Sequence, residues 1–427
     1  MAEFTAKNKY YFYNGLPKKA PVSSMKVTLK EAVEEKILCK AVENAIRKDY
    51  CFRQKPLLTG EGDILCVEND AKPPVMADDG TYVNLGSAAT NGYLFRVLYR
   101  DHSIELRYSH ALTDGRGGIM FLHTLLYEYF TLQGYPIEPD GNVFMQESVY
   151  NPAQIGDLAA DLPEGITPKG PDNFGELFST PEQRTLMEGD TSREFVIHFP
   201  AGELKELSQK LGATPAPVMA AVIAASMHEV YDVGEQTIVA GVPVDMRAFT
   251  GRRAMGNYSS MTFLPYEAAL FHKDFAAQTK ALSSSLRASL EKENLYALVM
   301  ALSAGTGQMP HPPLNDKEQV LAMQRARMRQ KGRFTYLLTN VGLIRLPKGM
   351  EAQIMAFALG SPSVSYTPSL LLYTFREHGC LRIVANYEES ALPDAIRKRL
   401  NESGIHAKME EGFTRSDNVL AELFERS

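Results

Sequence analysis

Between residues 103 and 108, Ile104, Leu106 and Tyr108 alternate with Glu105 and Arg107, the period of a strand with one buried face. His110 keeps the parity of the apolar set, so a strand that runs on turns this imidazole toward the core or a channel and Ser109 the other way. Gly115, Gly117 and Gly118 then let the backbone turn without a Cβ penalty. From Ile119 the spacing becomes helical, with Leu122, Leu126, Tyr129 and Phe130 on one side. The pattern predicts strand, tight loop and helix.

The same reading extends along the chain. A first helix is predicted from Thr28, where Thr28 and Glu31 match a capping box and Val33, Ile37, Leu38, Val42, Ala45 and Ile46 share a face. Strand patterns at 63–67 and 93–99 follow, the second forming a hairpin with 103–108. After a helix ending near Gln133, residues 134–189 are rich in proline and glycine, and a stretch this long reads as a crossover linker between two domains. Beyond it come a strand at 194–199, a helix marked by Leu204, Leu207 and Leu211, and a helix opened by Thr214 and Pro215. A buried strand is predicted at 237–244, a helix at 275–290, and a Gly/Pro-rich loop at 303–313. Asn315 with Glu318 is the expected cap of the next helix. A strand at 335–342, a hairpin at 370–387 and helices from Pro393 and Ser416 complete the expectation. The division is a lobe at 1–134, a linker at 135–190 and a lobe at 191–427.

Composition narrows the class. A chain of 427 residues exceeds one ordinary domain, and 44% hydrophobic residues suffice for two cores. The net charge of -6 gives no electrostatic reason to expect nucleic acid or an acidic membrane as partner. Cys39, Cys51, Cys66 and Cys380 are scattered, as suits reduced thiols. Residues 1–15 lack the apolar core of a signal peptide, and the most apolar stretch, 216–227, is too short to span a bilayer and reads as a core helix. A cytoplasmic protein with no membrane span is expected.

Three readings of His110 and Asp114 compete. A metal site needs a third ligand that does not stand nearby, and the glycines argue against a helix that would align the pair, so no metal is expected. A dinucleotide loop fails because Met120 stands where G-x-G-x-x-G needs its last glycine. A buried structural histidine remains open.

Residues 110–115, H-A-L-T-D-G, between a strand and a helix, resemble the H-x-x-x-D-G signature of the CoA-dependent acyltransferase superfamily. That superfamily holds chloramphenicol acetyltransferase, plant acyltransferases, peptide-synthetase condensation domains and alcohol acetyltransferases. Residues 244–247, V-D-M-R, are similar to the segment that supplies an arginine to the motif's aspartate, so the resemblance implies an architectural Asp114–Arg247 pair that aims His110. A buried carboxylate needs such a partner, and guanidinium is a planar fork suited to it. Gly256-Asn257 looks like a segment of alcohol acetyltransferases and condensation domains and the T-N-V-G at 339–342 like the alcohol acetyltransferase branch, whereas the tryptophan-containing late motif of the plant branch is absent from a chain with no Trp. Ser109 stands where many relatives carry a further histidine.

What the resemblance implies is an α/β fold of two similar chloramphenicol acetyltransferase-like lobes, mixed sheets flanked by helices, with a channel between them and His110 midway. Acyl-CoA enters as co-substrate from one side and a small-molecule acceptor from the other. The implied activity moves an acyl group, acetyl or another short or medium chain, to an alcohol or amine. Neutral imidazole takes the acceptor's proton as general base, without an acyl-enzyme. Ser109 lacks the G-x-S-x-G elbow of a nucleophile. Gly115, Asn257, Ser259 and Asn340 are the channel or oxyanion candidates. Basic residues Arg325, Arg327, Arg329, Lys331 and Arg333 read either as contacts to CoA phosphates or as a solvated helix face. A condensation-type enzyme with a carrier-protein donor is the alternative in the same chemistry. A non-catalytic acyl-CoA or small-molecule binding protein is the alternative from another class.

Overall fold

The computed structural model describes residues 2–3, 6–13, 22–149, 158–181, 191–308, 311–329, 333–360, 368–385, 391–415 and 417–420. Two mixed sheets organise them. The first has the spatial order Ile354–Gly360, Val22–Leu29, Ser103–Ser109, Phe95–Arg100, Val75–Ala77, antiparallel except for the last pair. The second runs Ser259–Tyr266, Ile238–Asp245, Tyr336–Leu343, Ser369–Phe375, His378–Ala385, Thr191–Pro200, Lys408–Arg415, with Tyr336–Leu343 parallel to both its neighbours.

Each sheet has its own core, because each buries an apolar face under helices. Helix α1 spans Ala6–Tyr13, α2 spans Glu35–Lys48 and α3 spans Gly115–Leu132. Leu38, Val42, Leu106, Phe121 and Leu125, from α2, the first sheet and α3, close one buried cluster. The other forms where Pro215–Val230 and Ala391–Glu402 cover the second sheet, around Val222, Ile238, Leu338, Leu372 and Leu381. Pro215–Val230 is the core helix expected of its composition, its residues from Ala216 to Met227 buried. Among the described residues no single helix is long and apolar enough to cross a membrane.

The two halves are stitched together. Ile354–Gly360 leaves the second half to pair antiparallel with Val22–Leu29, covering what would otherwise be an open edge of the first sheet. Asp417 sits under the same sheet, where its carboxylate takes both Nε (2.8 Å) and Nη2 (2.7 Å) of the fully buried Arg96. A charged guanidinium is sealed there only because a matching fork meets it.

Several boundaries differ from the expectation. Thr28 starts no helix: it lies inside Val22–Leu29, paired with Ser103 on one side and Ala356 on the other. Two ladders of backbone hydrogen bonds outweigh one local cap, and α2 begins only at Glu35. α3 starts at Gly115 rather than after the glycines, because Asp114 caps it, its Oδ1 accepting from Gly117 N–H at 2.9 Å. The loop expected at 303–313 is helical through Gly307, as Leu295, Leu298 and Val299 pack one face of Lys292–Gly307. Two glycines cost such a helix only about 1 kcal/mol each. The cap of Lys317–Arg329 is Asp316, which accepts from Gln319 N–H at 3.0 Å, not Asn315. Of the helix expected from Ser416, residues 416 and 421–427 lie outside the described residues, while Asn418–Val419 form a short strand along Asn84–Leu85. In the linker, residues 150–157 and 182–190 lie outside the described residues, and Leu158 and Leu162 pack with Val244, Met246 and Tyr258.

Candidate active site

The strand Ser103–Ser109 delivers His110 to the seam between the lobes. Its alternation holds through Tyr108 and stops at Ser109, since both are buried, and His110 emerges half-buried. Val22 pairs with Ser109, so the ladder fixes the chain up to the residue before the histidine.

After His110 the chain must turn straight into α3, and two glycines make this possible by close packing rather than by unusual dihedrals. A Cβ on Gly117 would stand 1.8 Å from Thr113 Oγ1 and 2.7 Å from the Met255 carbonyl oxygen. One on Gly118 would stand 2.3 Å from the Tyr108 hydroxyl. Gly115 has open space at that position and is exposed on the first turn.

From the second lobe, Ile238–Asp245 leads into the short helix Arg247–Thr250, and residues 254–258 then run back to the strand Ser259–Tyr266. That returning segment is clamped against the histidine loop. Arg247 Nη1 donates to Asp114 Oδ2 and to Asp245 Oδ1, both at 3.0 Å. Its Nε donates to the Ala254 carbonyl at 2.7 Å and its Nη2 to the Gly256 carbonyl at 2.8 Å. Asp114 Oδ2 also accepts from Tyr258 N–H at 2.7 Å, and Thr113 Oγ1 donates to the Met255 carbonyl at 2.6 Å. Burial works against the Arg247 charge, but the Asp114 and Asp245 carboxylates outweigh it and raise its pKa, so the guanidinium stays charged. The Tyr258 ring lies under the guanidinium at 5.8 Å, its hydroxyl donating to Asp161 Oδ2 at 2.8 Å. Burial, with Asp161 adding, pushes that phenol up to about 12.

The outcome of this clamping is the position of Asn257. Its Oδ1 lies 3.1 Å from His110 Nδ1, and its Nδ2 donates to the His110 carbonyl at 2.8 Å and to Asn8 Oδ1 at 3.0 Å. Asn8 belongs to α1, which also lays the Tyr11 ring flat on the imidazole, centroids 4.2 Å apart and planes 18° from parallel. Burial, with Tyr10 and Asp114 adding, raises the Tyr11 phenol, which therefore stays neutral across the working range of an imidazole. α1 is itself held by Lys9 to Asp63 at 3.0 Å and by Gln324 Nε2 donating to the Tyr13 carbonyl at 3.1 Å.

The structure thus brings together two hydrogen-bonded pairs, His110–Asn257 and Asp114–Arg247, joined where Arg247 holds the Gly256 carbonyl next to Asn257, with Ser259 at the first position of the following strand. Asn340 has its Oδ1 spent on a bulge in its own strand, accepting from Gly342 N–H at 3.1 Å. The side chains of Arg325, Arg327 and Arg329, and all of Lys331, lie outside the described residues. Sequence reasoning missed Thr113, Asp161, Asp245 and Tyr258 as supports and Asn8 and Tyr11 as contacts. The run Tyr10, Tyr11, Tyr13 was the one visible sign that the first helix has aromatic work to do.

No family model matches the chain, and no curated protein matches it in sequence. Solved structures do match over nearly its whole length. Polyketide synthase associated protein 5 from Mycobacterium tuberculosis aligns at TM-score 0.63 and 14% identity, over 93% of this chain and 97% of that one. A trichothecene 15-O-acetyltransferase from Fusarium sporotrichioides aligns at TM-score 0.61 and 12% identity, over 94% of each. The starter condensation domain of rhizomide synthetase, solved with C8-CoA and Leu-SNAC, aligns at TM-score 0.60 and 14% identity, over 94% of this chain and 93% of that one. In its two lobes, mixed sheets and flanking helices, the chain has the fold of the CoA-dependent acyltransferases and condensation domains.

Proposed function

We propose that the chain is an acyltransferase that moves an acetyl or other short or medium acyl group from acyl-CoA to an alcohol or amine acceptor, with His110 as general base. The observation that carries this is a half-buried imidazole at the lobe seam, gripped at Nδ1 by Asn257 and set on a loop that the Asp114–Arg247 pair locks. In this reading a channel reaches the ring between the lobes. The ring takes the proton of the acceptor's O–H or N–H as that atom bonds to the thioester carbonyl carbon. The tetrahedral intermediate then collapses, the C–S bond breaks, and the imidazolium returns the proton to the departing thiolate, giving ester or amide plus free thiol. Asp114 and Arg247 position the loop and stay out of the proton path.

The four cysteines are free thiols, which supports a reducing compartment, and the cytoplasm is part of the proposal. A solved neighbour carrying both C8-CoA and an N-acetylcysteamine thioester supports keeping the carrier-protein donor as second reading. The test follows thiol release by the purified chain from acetyl-CoA, octanoyl-CoA and a carrier-protein thioester, with a panel of alcohols and amines. Acceptor-dependent release from a CoA thioester is the expected result. Release from the carrier thioester alone selects the condensation reading. Binding of acyl-CoA without release in any arm makes the chain a binding protein.

A further inference from the structure

We infer that Asn257, held in turn by Asn8 of α1, is a positioning residue that fixes the His110 imidazole in one tautomer, with hydrogen on Nδ1 and the lone pair on Nε2. The inference rests on the proposal above that His110 is the base, and it names the nitrogen that does the work.

A backbone carbonyl oxygen only accepts hydrogen bonds. The side-chain amide of Asn257 faces the His110 carbonyl oxygen at 2.8 Å, so the group there is Nδ2 and not Oδ1. Its second hydrogen goes to Asn8 Oδ1 at 3.0 Å. Both amide hydrogens are then committed, and Oδ1 is left facing His110 Nδ1 at 3.1 Å. An amide oxygen cannot donate, so Nδ1 carries the hydrogen. A neutral imidazole has one N–H, which makes Nε2 the nitrogen that can take a proton.

Rotating the amide would set two oxygens face to face and leave a donor stranded, which is costly where both asparagines are buried. The Tyr11 ring, flat on the imidazole, opposes the other escape, rotation of the histidine ring itself. When Nε2 takes the acceptor's proton, the Nδ1–H bond to Asn257 becomes charge-assisted and steadies the imidazolium until the proton passes to the thiolate. The amide comes from the second lobe and its anchor from the first helix, so the tautomer is set only when all three parts are assembled. With both its hydrogens spent, Asn257 serves as this brace rather than as an oxyanion donor.

The experiment uses the full chain labelled with nitrogen-15 in histidine, with the His110 signals assigned by their loss in His110→Ala. Above the imidazole's titration range, the expected spectrum shows a protonated Nδ1 and a bare Nε2. Asn257→Ala should give a mixture of tautomers, a fall in kcat of about tenfold or more and little change in KM. Asn8→Leu should move in the same direction by less, and Asn8→Asp, which keeps an acceptor for Asn257 Nδ2, should restore the parent spectrum. A parent spectrum with hydrogen on Nε2, or an Asn257→Ala protein that folds and keeps the parent tautomer, would overturn the inference. The spectrum needs no turnover. The assigned tautomer in a protein that releases no thiol would sustain this inference while sinking the acyltransferase proposal.

Discussion

Two histidines of the same strand–loop–helix unit have opposite surroundings. His110 is half-buried, its ring bonded at Nδ1 and stacked on Tyr11. His123, inside α3, is 1% exposed, and among the described residues neither of its ring nitrogens has a hydrogen-bond partner. Burial, only partly offset by Asp140, pulls the His123 pKa down to about 4, which keeps that ring neutral as a packing group. On the proposed function, the difference is between a base and a packing group: fixed polar partners hold one nitrogen of His110, whereas His123 is sealed within α3 with none on either nitrogen among the described residues.

The sharpest way to break this contrast is to loosen the loop under His110 without touching the ring. Asp114→Asn keeps the shape of the side chain but removes its charge and turns one of its two acceptor oxygens into an NH2, which must then face either Gly117 N–H or the Arg247 Nη1 and Tyr258 N–H donors. Because Asp245 still faces Arg247, the loss of stability should be about 3 kcal/mol, at the low end for a broken buried pair. Thiol release should fall by about tenfold to a hundredfold as the imidazole drifts from its working position. Denaturant unfolding and initial rates on the same preparations check both numbers. An unchanged midpoint and rate would remove the clamp from the account.

A smaller effect is expected from Gly117→Ala, whose methyl group meets Thr113 Oγ1 and the Met255 carbonyl. Overpacking of this kind costs about 1–3 kcal/mol, while Gly115→Ala, with open space at Cβ, should stay within about 0.5 kcal/mol. Equal unfolding midpoints for the two variants would show that the loop and the 254–258 segment are not tightly apposed.

At neutral pH the smallest effect belongs to His123. Its folded pKa lies below the ordinary value of 6.5, so the unfolded chain binds the proton more readily and stability is lost as pH falls from about 6.5 toward 4. His123→Leu should flatten that part of the stability curve by up to about 3 kcal/mol at the acid end, with little change at neutral pH and no change in rate. A parent and variant with parallel curves between pH 7 and 4.5 would show that His123 is not the buried neutral ring described.

How much of this was legible in the sequence depends on the range of the interaction. The alternation of Ile104, Leu106 and Tyr108 is local and showed the strand that carries His110. The resemblance of residues 244–247 implied the Asp114–Arg247 pair, now seen at 3.0 Å. Thr28 misled because a capping-box pattern says nothing about the two strands that flank it. The glycines misled in another way. They were read as turn residues, whereas Gly117 and Gly118 are helical and small because Thr113, Met255 and Tyr108 crowd them. Asn8 meets Asn257 across 249 positions of the chain, and both Asn8 and Tyr11 come from a helix whose own pattern shows no preferred face. No periodicity in residues 6–13 encodes a neighbour on another lobe.

The central claim is that His110, and not any other ring in this unit, takes the proton. The most direct measurement compares thiol release from acyl-CoA by the parent, His110→Ala and His123→Leu under one acceptor at one pH, with the melting temperature of each. The account predicts that His110→Ala loses about a hundredfold in rate with its fold intact while His123→Leu keeps the parent rate. His110→Ala turning over as fast as the parent would contradict it.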